Sequence, residues 1–101
     1  MQDHILRALR AGSPRTRTSV LRAQAAAWAR LGTWPQETEA WIRALGADGT
    51  GLAATCRRLG VGLAAMDIML DGQYASRRLR GGESVTAVQA RAAALGITLP
   101  T

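Results

Sequence analysis

The chain has 101 residues, enough for one domain, or one domain with an additional helical arm, and for a modest hydrophobic core. Its 48% apolar residues never form a run long enough to span a bilayer, and Asp3 and Arg7 interrupt any signal peptide, so we expect no membrane segment. All thirteen basic residues are arginines, against seven acidic ones, and the formal net charge of +6 favours a polyanionic partner, most often nucleic acid.

Leucine followed by glycine ends four apolar-periodic segments and marks helix C-termini, because glycine accepts the left-handed backbone that follows a last turn. The four marks end at Gly32, Gly46, Gly60 and Gly96. Another periodic segment covers residues 3–11, period-2 alternation is absent, and β-branched residues are sparse. We therefore predict an all-α protein, a small bundle of about five to six short helices.

Three tryptophans lie near the predicted joins between helices. Trp28 and Trp41 fall on apolar helix faces and are expected in the core. Trp34 precedes Pro35 in a turn, and a core or half-core position is again expected, although an exposed Trp34 would suit a partner.

The stretch "TCRRLGVGLAAMDIMLDG", residues 55–72, has the spacing of a helix-turn-helix. That motif needs a small residue in its first helix, a glycine four positions later and an apolar residue next, as Cys56, Gly60 and Val61 supply. The inner face of the second helix would consist of Met66, Met69 and Leu70. The pair Asp71-Gly72 is interpreted as the stop signal of that helix.

The segments "LAATCRRLGVGLAAMDIMLDG" and "GGESVTAVQARAAALGITLP" resemble the helix-turn-helix of phage-repressor/Cro-like (XRE-type) regulators, with "AWIRALG" as the family's first helix. A weaker resemblance, through "GV" and "MLDG", is to the LacI-type headpiece. The resemblance covers about residues 36–100. It implies a helix-turn-helix domain over residues 35–101, preceded over residues 1–34 by an N-terminal helical extension with the basic linker "GSPRTRTS". It also implies a phage or prophage-like transcription regulator.

The family's base-facing positions fall on Gly62, Leu63, Ala64, Asp67 and Ile68. Direct readout uses arginine on guanine, or glutamine and asparagine on adenine, and none of the five residues offers these groups. The apolar ones suit thymine methyl groups, whereas Asp67 repels phosphates and at best accepts from a cytosine amine. Specificity would therefore come from apolar groove contacts, from the linker or from DNA shape.

Contacts with phosphates are assigned to the arginines around the motif and in the linker, which suit phosphates or a narrow minor groove. These residues are Arg15, Arg17, Arg57, Arg58, Arg77, Arg78 and Arg80. A solvated helix face is the alternative for Arg57 and Arg58. Unopposed charge in a linker favours a binding arm for Arg15 and Arg17.

No pattern of residues indicates enzymatic chemistry. With one histidine, His4, and one cysteine, Cys56, a protein metal site lacks ligands, and packing explains Cys56 better than catalysis does. The carboxylates form no acid/base pair, and "GADGTG" lacks the ending of a phosphate loop. We predict a protein that is not an enzyme, has no metal, cofactor or small-molecule ligand, and resides in the cytoplasm, where a lone thiol stays reduced.

The leading hypothesis is an arginine-rich regulator that binds double-stranded DNA. The alternative is an interaction module whose second helix docks on RNA polymerase or another regulator through Leu63, Ala64, Ala65 and Ile68. That helix, or the N-terminal helices, would also form the interface of a homodimer. Single-stranded nucleic acid is a third hypothesis, weakened by the shortage of aromatic residues for stacking.

Overall fold

The computed structural model describes residues 2–12 and 17–101. Over these ranges the chain forms six α-helices, one 3-10 helix and one two-stranded hairpin, so the prediction of a small all-α bundle is confirmed. The four Leu-Gly marks also end helical segments as predicted, since Gly32, Gly46, Gly60 and Gly96 all have positive φ. The chain divides into two compact units, residues 1–50 and 51–101, hereafter the first and second unit.

The first unit contains α1 (Gln2–Gly12), α2 (Thr18–Ala29) and α3 (Pro35–Leu45), and α1 packs against both other helices. The unit boundary follows Thr50, whereas the sequence predicted one after residue 34. Trp28 and Trp41 are buried as predicted. The indole nitrogen of Trp28 donates to the carbonyl of Ala47 at 2.9 Å, so its one polar atom is satisfied. The rest of the apolar core is Ile5, Leu9, Leu21, Ala25, Ile42 and Leu45.

Trp34 differs from its prediction, because 79% of its surface is exposed. It is the residue before α3 and has an extended backbone, with φ −63° and ψ 151°. On either side of it, the buried hydroxyls of Thr33 and Thr38 are hydrogen-bonded to each other. Thr38 also donates to the carbonyl of Trp34 at 3.1 Å. The backbone of Trp34 is thus held at the start of α3, while its indole lies outside the core.

The second unit contains α4 (Thr50–Arg58) except for its first residue, which lies just before the unit boundary. Its other elements are the 3-10 helix (Leu63–Asp67), β1 (Met69–Leu70), β2 (Gln73–Tyr74), α5 (Ala75–Arg80) and α6 (Val85–Ala94). The helix α5 packs against the 3-10 helix, β2 and α6. The buried apolar residues are Ala53, Cys56, Val61, Ala65, Met66, Leu70, Ala75, Leu79, Val85, Val88 and Ala92.

The prediction of a second α-helix ending at Asp71-Gly72 is wrong. The chain makes five residues of 3-10 helix and then a hairpin in which Met69 pairs with Tyr74. Asp71 and Gly72 have φ values of 54° and 90°, and the type I′ two-residue hairpin turn requires positive φ at both positions. Glycines at 60 and 62 disfavour an α-helix start, and Asp-Gly is a strong hairpin signal as well as a helix stop.

Candidate nucleic-acid interface

The predicted turn after α4 is present and is closed by backbone hydrogen bonds. Gly60 has φ 76°, and the amide of Val61 donates to the carbonyl of Cys56 at 2.8 Å. Cys56 is completely buried, and desolvation raises the pKa of its thiol to about 11. The thiol is therefore protonated at neutral pH, which agrees with a packing role.

The five predicted base-facing residues do not form one open surface. Gly62 donates its amide to the carbonyl of Pro100 at 2.8 Å, and a Cβ there would lie 2.4 Å from the carbonyl carbon of Thr101. Gly62 is therefore packed against the end of the chain, where a DNA strand would have to approach a reader helix. Leu63 and Ile68 are half-buried, and only Ala64 and Asp67 are exposed. An alanine methyl group and a carboxylate offer little for base readout.

Arg78 was predicted to bind phosphate, but its guanidinium is engaged inside the protein. Its side chain is 10% exposed and donates to the carbonyl oxygens of Leu70 at 2.9 Å and Asp71 at 3.0 Å. A third hydrogen bond, at 2.9 Å, reaches Glu83. Arg78 thus fastens the hairpin to α5. Leu79 and Ala75 are the buried positions of α5 and residue 78 is turned towards the hairpin, so the structure favours this structural role of Arg78 over the predicted contact with phosphate.

Glu83 also accepts a hydrogen bond from Arg91 at 3.0 Å, and Arg91 lies 3.9 Å from the carboxylate of Asp71. Desolvation acts to raise the pKa of Glu83, but the hydrogen bonds from Arg91 and Arg78 outweigh it and hold the pKa below its ordinary value. Neither Glu83 nor Arg91 was predicted from the sequence, since their pairing depends on the packing of α5 against α6. The only sequence signal was one acidic residue among several arginines.

The other arginines of the second unit lie at its surface. Arg57 and Arg58 are exposed in the last turn of α4, where positive charge also complements the helix dipole. Arg77 and Arg80 are exposed on α5, one helical turn apart. In the first unit Arg17 is exposed immediately before α2, while Arg15 lies outside the described residues.

The hairpin presents a surface that the sequence analysis missed. Met69 and Tyr74 are cross-strand neighbours and are 48% and 50% exposed, so the thioether of Met69 and the ring of Tyr74 lie on the same face of the hairpin. They line an open depression of about 280 Å³ together with Gly72, Gln73 and Arg77. The Asp-Gly turn was the signal that could have indicated it.

Comparisons with family models, with curated proteins and with solved structures give no match for this chain. Over residues 2–12 and 17–101, no helix has the length and apolar character needed to cross a bilayer. In the same part of the chain, no group of three or more histidine, cysteine, aspartate or glutamate side chains is arranged to hold a metal ion.

Proposed function

We propose that the protein is a small transcription regulator that binds double-stranded DNA through arginine contacts with the phosphate backbone. The observation that carries the proposal is the uneven use of charge in the second unit, which has six arginines and three carboxylates. Two arginines, Arg78 and Arg91, are engaged with Glu83 and Asp71. Arg58, Arg77 and Arg80 are exposed, and Asp67 is the third carboxylate of the unit.

A surface with this excess of positive charge suits a polyanion. Arginine presents a planar fork of donors that matches phosphate oxygens, and each neutralised phosphate of duplex DNA releases condensed counterions. The resemblance to Cro-like regulators around the turn at Gly60 supports a regulator in particular. We propose a cytoplasmic binding protein and not an enzyme.

Fluorescence anisotropy with labelled random-sequence duplexes at several salt concentrations tests the proposal. The logarithm of the affinity should fall steeply with the logarithm of salt, and Arg77→Ala/Arg80→Ala should reduce that slope by about 2, at roughly 0.9 per phosphate contact. A matched control, Arg22→Ala/Arg30→Ala, removes the same charge from exposed positions of the first unit. We expect the control to keep most of the slope.

Two outcomes contradict the proposal. The first is that folded wild-type protein fails to bind duplexes even at low salt. The second is binding that barely responds to salt, which would indicate an apolar partner surface instead.

The alternative of a partner docked on the predicted second helix has less support from the structure. Ala65 is completely buried, and Leu63 and Ile68 are half-buried, so most of that apolar run already packs within the second unit. An exposed side chain remains only at Ala64, which offers too little apolar area for a docking face. We therefore propose no function through this segment.

A further inference from the structure

We propose that the hairpin Met69–Tyr74 is the base-reading element of this protein, and that it enters the major groove of double-stranded DNA with Gln73 directed at adenine. The inference rests on the proposed function and assigns the reading role to residues outside the helix-turn-helix positions. It is carried by the side chains of the hairpin, by the way the hairpin is held and by its dimensions.

The hairpin supplies the chemistry that residues 62–68 lack. Gln73 is exposed and lines the open depression, and a glutamine amide makes a bidentate pair with N6 and N7 of adenine. Met69 and Tyr74, paired and half exposed on the opposite face of the hairpin from Gln73, offer apolar surface to the methyl group of thymine. A hairpin that enters the groove tip first therefore presents an amide on one face and apolar surface on the other.

The hairpin is also held rigidly, which a reading element needs. A two-stranded hairpin is marginally stable by itself. Here Leu70 is completely buried, Arg78 bonds the carbonyl oxygens of Leu70 and Asp71, and the amide of Ala75 donates to the carbonyl of Ile68 at 2.9 Å. Both strands are thereby fixed to α5 before any ligand arrives, so binding loses little conformational entropy.

The dimensions favour the major groove. Paired strands lie about 4.7–4.9 Å apart, and the major groove, about 12 Å wide and 8.5 Å deep, admits a two-stranded ribbon with its side chains. The minor groove, about 6 Å wide, would have to open, and it shows adenine and thymine edges that are nearly indistinguishable.

The charges around the hairpin agree with this orientation. Arg77 lines the same depression as Gln73, and Arg80 follows one helical turn later, where both can meet the phosphates that border a groove. Asp71 at the tip is the residue that would oppose binding. Its carboxylate lies 3.9 Å from the guanidinium of Arg91, so its charge is partly offset within the protein.

The test is selection from a library of randomised DNA duplexes with the wild-type protein, followed by affinity measurements on the selected and on scrambled duplexes. We expect the wild type to enrich a short motif that contains an A·T pair. Gln73→Ala should lower the preference for the selected over the scrambled duplex by about five- to 150-fold, the range of one bidentate base contact. Affinity for scrambled duplexes and the salt slope should stay unchanged.

Met69→Ala/Tyr74→Ala should reduce the same preference without changing the salt slope. The matched control is Leu59→Ala/Leu95→Ala, which truncates two exposed apolar side chains of the second unit away from the hairpin. A second control, Ala64→Ser/Asp67→Asn, alters the exposed positions of the predicted reader segment. Both controls should select the wild-type motif. Circular dichroism of each variant establishes that it is folded.

Several outcomes overturn the hairpin proposal. Hairpin variants that select the wild-type motif with unchanged preference would overturn it, and so would a motif lost only in Ala64→Ser/Asp67→Asn. Salt-dependent binding of duplexes without any selected motif would overturn it and leave the proposed function intact. Stronger binding of single-stranded DNA or RNA than of duplexes would also overturn it. Absence of all duplex binding would reject the proposed function itself.

Discussion

Removing the guanidinium of Arg78 should loosen the hairpin and α5. Of its three hydrogen bonds, those to the carbonyl of Leu70 and to Glu83 are partly buried, and the one to the carbonyl of Asp71 is exposed. Bonds to a charged group contribute about 1.5–3 kcal/mol each. At the low end for the two partly buried bonds, with nothing from the exposed one, Arg78→Ala should cost about 3 kcal/mol of local stability.

Amide hydrogen exchange measures this loss where it occurs. The amide of Ala75 donates to the carbonyl of Ile68 and reports on the junction between the hairpin and α5. In Arg78→Ala its protection should fall by about 150-fold, since 1.4 kcal/mol corresponds to a factor of ten. The matched control, Arg77→Ala, removes an exposed arginine from the adjacent position and should change protection by about twofold or less.

Arg78→Lys separates the role of the planar fork from that of the charge. A lysine ammonium keeps the positive charge but cannot span two carbonyl oxygens and a carboxylate in fixed geometry. We expect it to recover less than half of the lost free energy. Wild-type protection in Arg78→Lys, or equal protection in Arg78→Ala and Arg77→Ala, would refute the role of the Arg78 guanidinium in holding the hairpin to α5.

Three further predictions concern stability and reactivity. Gly62→Ala should lower the free energy of unfolding in urea by about 1–3 kcal/mol, because its Cβ would lie 2.4 Å from the Thr101 backbone; Gly51→Ala, with nothing within 4 Å of the new Cβ, should not destabilise the protein. Desolvation raises the pKa of Glu83, but hydrogen bonds from the arginines lower it by more, so the pKa lies below its ordinary value of 4.5. The contribution of Glu83 to the free energy of unfolding is therefore fully present above pH 4.5 and is lost as the pH falls through the lowered pKa. Glu83→Gln should remove this part of the pH dependence of unfolding. Cys56, with a pKa of about 11, should react with iodoacetamide at pH 8 about a hundredfold more slowly in the folded than in the urea-unfolded protein, and equal rates would contradict its burial.

Local signals in the sequence predicted the parts of the fold that depend on neighbouring residues. The Leu-Gly marks gave the helix ends, and the spacing of Cys56, Gly60 and Val61 gave the turn and its buried residues. Asp71-Gly72 was ambiguous, because the same two residues stop a helix or turn a hairpin. The choice depends on whether Leu70 is buried through a helix or through a strand, and that is a property of the whole core.

The candidate site was harder to predict, because side chains of one type serve opposite purposes. The sequence does not distinguish Arg78 from Arg77, yet the side chain of Arg78 is 10% exposed and Arg77 lines an open depression. Trp34 shows the same limit, since a tryptophan before a helix can lie inside or outside the core, and here its indole is exposed.

The arginine cluster of α5 combines a structural role with the proposed binding role in one short helix. Successive helical residues are turned by about 100°, so three arginines within four positions cannot share one face. Arg77 and Arg80 reach the surface, while Arg78 is turned towards the hairpin and its carbonyl groups. The helix whose exposed arginines are proposed to contact phosphates therefore also fixes the hairpin that is proposed to read bases. On this proposal, replacing Arg77 or Arg80 should weaken DNA binding and leave the hairpin in place, whereas replacing Arg78 should loosen the hairpin.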